Sequence, residues 1–131
     1  MPGKLEVGDQ ELELHPAEGH TVDGMAVWVP WARVLVCGDY LSPIEIPMLS
    51  PGSSISAYLA TLARLEPLVE QAEHVVPGHG EPLDGTRAGA ILREDRAYLE
   101  DLREHGADAK LPLARRTGEM RKVHAENVQA L

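Results

Sequence analysis

The chain has 131 residues, a formal charge of −9, a single cysteine and no phenylalanine. That length fits one domain, residues 1–131, with a core of Val, Leu, Ile and Ala and no need of disulfides. The acidic balance argues against nucleic acid and anionic membranes as partners. Cys37 alone excludes an intrachain disulfide and a cysteine-based zinc site. The polar N-terminus "MPGKLEVGDQ" has no signal-peptide pattern and no apolar run reaches membrane-spanning length, so the expectation is a cytoplasmic protein.

In chain order, "KLEV" (4–7) and "QELEL" (10–14) alternate apolar and polar residues about Gly8-Asp9. This is the pattern of a β-hairpin with one face in the core. "MAVWV" (25–29) and "RVLVC" (33–37), separated by Pro30-Trp31-Ala32, are apolar on both faces and read as buried inner strands. The stretch 38–54 is rich in proline and glycine and reads as a long irregular loop, of a length that is usually either functional or disordered. Ile55, Leu59, Leu62, Leu65 and Leu68-Val69 recur at helical spacing, with Ser53 or Ser54 as N-cap and Pro67 expected to kink or restart the helix. "HVVP" (74–77) reads as a short buried strand and "GHGEPLDG" as a glycine-rich loop. An amphipathic helix follows over 86–104, stopped by Gly106, and a last helix over roughly 117–130. The acidic residues Glu94, Asp95, Glu100, Asp101 and Glu104 of the 86–104 helix fit a solvated face. The order is β-β-β-β-α-β-α-α, an α/β chain with largely antiparallel strands.

Three glycine-flanked loops carry potential metal ligands: "GHT" with His20, "GD" with Asp39 and "PGHG" with His79. Glycine lets the chain turn sharply at a strand end and aim the neighbouring side chain outward. Two imidazoles and a carboxylate suit Zn²⁺, and also Fe or Mn. Taken singly, each is ambiguous. His20 reads equally as a plain loop histidine and Gly38-Asp39 as a turn. His79 is the more pointed of the three. Asp23 reads as a turn residue or as an orienter of His20. Cys37 reads as a small core residue, Trp28 and Trp31 as core and turn packing, and His124 as a structural hydrogen-bonding residue.

Taken together and in this order, "EGHTVDG…LVCGDYL…VVPGHG" resembles the second half of the metallo-β-lactamase-fold hydrolases, the superfamily of glyoxalase II, many lactonases and class B β-lactamases. The tail "HAENVQAL" extends the likeness more loosely. The resemblance implies half of an αββα sandwich, a mostly antiparallel sheet with helices on one face. It implies His20 as a ligand of a first metal, Asp39 as a bridge and His79 as a ligand of a second, with one or two ions in a complete site. The family's His-x-His-x-Asp-His motif has no match here, and no two histidines stand two apart. The likeness is therefore to a C-terminal half with the N-terminal half absent. The expected partners are an N-terminal half-chain or a second copy, with a small-molecule substrate in the completed site. A non-catalytic metal-binding or interaction module is the alternative.

Overall fold

The structure is a computed structural model that describes residues 3–21, 24–50 and 52–131. The reading of Asp23, and the nearby Val22, fall outside the described residues. Six strands form one sheet in chain order: β1 (Gly3–Val7), β2 (Gln10–Pro16), β3 (Met25–Val29), β4 (Val34–Gly38), β5 (His74–Pro77) and β6 (Leu83–Asp84). All neighbours run antiparallel except β4 and β5, which are parallel. The crossover between them is helix α1 (Ile55–Gln71); α2 (Gly85–His105) and α3 (Gly118–Gln129) follow. The α/β class with a mostly antiparallel sheet matches the sequence reading. The two-residue β6, inside the expected "GHGEPLDG" loop, is an addition.

Each helix starts where a side chain satisfies an orphan amide. Ser54 accepts from Ala57 N at 3.1 Å, Asp84 from Arg87 N at 2.7 Å, and Thr117 from Met120 N at 3.1 Å. Pro67 does not restart α1, which runs on through it to Gln71. Pro67 has no N–H for the Ala63 carbonyl, and both residues are exposed, where solvent can satisfy that carbonyl.

Strand pairing sorts the side chains into two faces. Trp28, Leu35, Val75 and Leu83 are register partners in a row and are buried beneath α1 and α2. Against them pack Tyr58, Leu62, Leu65, Ile91, Leu99 and Leu102, each 1% exposed or less. Burying each such side chain contributes about 1.5–3 kcal/mol. The opposite row, Leu14, Val27, Val36 and Val76, faces away from the helices. Leu5, Val7, Leu12 and Met25 share that open face, with Leu5, Val7, Met25 and Val36 38–53% exposed. Two expectations are thereby corrected. The strands "MAVWV" and "RVLVC" are buried on one face only. The hairpin points its apolar residues away from the helical core, leaving Lys4, Glu6, Glu11 and Glu13 on the helix side. The sequence pattern was that of a strand covered twice, and the described residues cover it once. Trp31, read as turn packing, is 57% exposed.

The acidic face of α2 also needs correction. Asp95 is buried beside Arg115, with Nη1 2.6 Å from Oδ1. Arg115 lies in the short 3₁₀ turn Leu113–Arg115 and is itself buried. Its Nη1 donates to the carbonyls of Ser42, at 3.3 Å, and Glu45, at 2.9 Å. Asp95 Oδ1 thus has charge beside it but no aligned hydrogen bond. Burial lifts the Asp95 carboxyl to about 7 against the opposing pull of Arg115.

Candidate metal centre

Because β4 and β5 are parallel neighbours, their ends open on the same edge of the sheet. Asp39 leaves the end of β4 and His79 leaves β5 two residues after Pro77. Gly78 N–H donates to the Gly38 carbonyl and ties the two exits together. Gly38 has φ +60°, the left-handed turn that releases Asp39 from the strand.

His20 reaches the same edge from the β2–β3 loop, pinched by a bond from Ala17 N–H to Gly24 O at 2.8 Å. Gly19 has φ +139°, and a Cβ there would lie 2.5 Å from the Tyr58 Cα on α1. Only glycine lets the loop approach the helix this closely. His20 N–H donates to Tyr40 Oη at 3.0 Å, and the Tyr40 hydroxyl donates to the Ala17 carbonyl.

The three side chains read from the sequence lie together. Asp39 sits between the imidazoles: Oδ2 is 3.4 Å from His20 Nε2, and Oδ1 is 3.3 Å from His79 Nε2. His20 Nδ1 lies 3.0 Å from the Met48 carbonyl, which can only accept. This contact is a hydrogen bond in the form that carries hydrogen on Nδ1, and in that form the lone pair of Nε2 would be the one offered to a metal. Among the described residues no three His, Cys, Asp or Glu side chains close on one point. The donors form two pairs that share Asp39. A carboxylate with one imidazole at each oxygen is a donor set that fits a divalent metal at either side.

These residues line a cavity of about 150 Å³ with Glu45, Ile46 and Met48. Glu45 was not singled out in the sequence. Its Oε1 is 3.7 Å from His79 Nε2. The signal was a lone carboxylate between prolines in "PIEIP". A larger depression of about 480 Å³ lies at the opposite end of β4, lined by Trp28, Pro30, Arg33 and residues 70–73, and gathers no imidazole.

The other histidines stay away from this edge. His124 Nδ1 meets Tyr98 Oη at 2.8 Å and its Nε2 meets the Ala107 carbonyl at 3.1 Å. His15 contacts Glu13 at 3.0 Å. Cys37 is buried, and burial pushes its thiol up to about 12.

Solved structures share this architecture. The stereoselective inverting sec-alkylsulfatase Pisa1 from Pseudomonas sp. is similar at 18% identity and TM-score 0.75, over 98% of this chain and 24% of its own. A metallo-beta-lactamase family protein from Thermus thermophilus matches at 23% identity and TM-score 0.66, over 98% and 44%. A metallo-beta-lactamase from Pontibacter korlensis matches at 24% and TM-score 0.56, over 71% and 46%. The chain thus spans less than half the length of each. These likenesses show the fold. No helix among the described residues is long and apolar enough to cross a membrane. The family model of the metallo-beta-lactamase superfamily matches residues 3–79, the stretch that carries all three edge loops, and the chain belongs to that superfamily.

Proposed function

We propose that this chain is the C-terminal, glyoxalase II-like portion of a metal-dependent hydrolase. His20, Asp39 and His79 would hold the divalent metal. The supporting observation is that each Asp39 oxygen faces a different imidazole. The metal is Zn²⁺, with Fe or Mn as alternatives, one or two ions in the completed site. Bound there, it would lower the pKa of a water and polarise a carbonyl or phosphoryl oxygen of a small-molecule substrate. Asp39 would offset the metal's charge, the Met48 carbonyl would keep Nε2 of His20 available, and Glu45, Ile46 and Met48 line the cavity beside them.

The remaining donors would come from an N-terminal half, whether a separate chain or a preceding part of the same polypeptide, since no His-x-His-x-Asp-His motif is present. That half, or a second copy, also covers the open face of the sheet, where apolar side chains would otherwise stay in water. The missing motif equally favours a second reading, a metal-binding or interaction module without catalysis.

The test is a Zn²⁺ titration of the apo chain against a competing chelator. Weak uptake is expected, with little or no hydrolysis by the chain alone. His20→Ala/His79→Ala should remove that uptake. Equal uptake by the double variant would sink the assignment. Hydrolysis that appears only on adding the N-terminal half would separate the two readings.

A further inference from the structure

One peptide unit links the site to the last helix. The Met48–Leu49 peptide offers its carbonyl to His20 Nδ1 at 3.0 Å and its N–H to Asn127 Oδ1 at 3.0 Å. In a trans peptide these groups point to opposite sides of a rigid plane. Whatever holds the N–H therefore aims the carbonyl. Asn127 also donates from Nδ2 to the Pro47 carbonyl at 2.8 Å, clamping both sides of Met48.

Asn127 is itself fixed. It is 1% exposed, and Nδ2 also donates to Tyr98 Oη at 3.1 Å. With one donor and one carbonyl facing it from Leu49 and Pro47, the amide has a single workable orientation. Tyr98 then gives its own hydrogen to His124 Nδ1, and His124 Nε2–H goes to the Ala107 carbonyl. Every donor in this run has one acceptor, so its polarity is set from end to end. The loop it grips has no regular secondary structure between Asp39 and Ser50.

We propose that Asn127 is a positioning residue for His20. It holds the Met48–Leu49 peptide so that the carbonyl keeps the hydrogen on Nδ1 and leaves Nε2 free for metal. This rests on the metal reading above, but its primary readout needs no metal.

The experiment records the His20 ring-nitrogen shifts by ¹⁵N-edited NMR of the full chain, at a pH where the imidazole is neutral. Zn²⁺ affinity is measured separately by chelator competition. Three variants are compared with the wild type: Asn127→Ala, Asn127→Asp and Tyr98→Phe. The wild type is expected in the Nδ1–H form. Asn127→Ala should give a mixture with Nε2–H and lower Zn²⁺ affinity by about 10-fold, the loss typical of a removed outer partner of a ligand. Tyr98→Phe removes a buried bond from the same run but leaves the Leu49 and Pro47 bonds, so the tautomer should stay. Asn127→Asp keeps an acceptor for Leu49 N–H and cannot donate to Pro47. It should lie between wild type and Asn127→Ala, and it reads the proposal if the alanine variant does not fold. An Nδ1–H His20 in folded Asn127 variants, or the same change in Tyr98→Phe, overturns the proposal. Wild-type chain that takes up no Zn²⁺ overturns the metal reading and leaves the tautomer result intact.

Discussion

Arg115→Met tests how the wall of the site is held. The substitution keeps much of the side-chain volume but removes the charge beside Asp95 and the donors to the Ser42 and Glu45 carbonyls. Removing one partner of a buried ion pair costs about 3–5 kcal/mol. The loss should depend on pH, and its sign follows from Asp95. Its folded value, about 7, lies above the ordinary carboxyl value of 3.8, so the folded state holds the proton more tightly. That contribution is full at low pH and is lost as pH rises through about 7. Without Arg115 the carboxyl is pushed higher still, and each added unit costs about 1.4 kcal/mol at pH above it. The expectation is a loss of about 3 kcal/mol or more at pH 8 and about 1 kcal/mol less at pH 5. Urea denaturation followed by circular dichroism measures both. The double variant Arg115→Met/Asp95→Leu, which leaves no lone charge, should recover much of the loss. An equal loss at both pH values, or a double variant no better than the single, would refute the reasoning.

Gly19→Ala should cost more than about 2 kcal/mol in a thermal melt, because strain at positive φ adds to overlap with the α1 backbone at 2.5 Å; a neutral result would mean the loop does not touch α1. Cys37 should resist thiol reagents at pH 8 until the chain is unfolded, because burial holds the thiol at about 12; fast labelling of native chain would contradict that burial. The chain without a partner should self-associate through the open sheet face, and Val27→Lys should shift sedimentation toward monomer. A wild type that is monomeric at all concentrations would count against that face as an interface.

Much of the fold was legible because periodicity reports which positions are apolar. The hairpin, both inner strands, "HVVP" and three helices follow from it. Periodicity does not say which layer covers an apolar face, so Val36 read as buried and is exposed. Nor does it find long-range charge pairs. Asp95 stands among acidic neighbours on α2, and its partner Arg115 is twenty residues away on a turn that leaves no pattern. The edge loops drew notice because glycine beside a ligand-type residue at a strand end is a local signal, but it was their order along the chain, and the resemblance it carries, that joined them into one site. Glu45 and Asn127 were not legible, because their roles depend on how residues 45–49 lie against the site and the last helix.

The parallel pairing of β4 and β5 has a consequence for kinetics. Val36 meets Val76 only after the whole segment between them, α1 included, has been wound back across the sheet. The antiparallel hairpins β1–β2 and β3–β4 close over short loops and can form early; this pairing closes over a long one and is slow. The edge that gathers Asp39 and His79 is then among the last parts to assemble. A metal that recognises only the assembled edge acts after the folding barrier. Its stabilisation should appear as slower unfolding, with the refolding rate nearly unchanged.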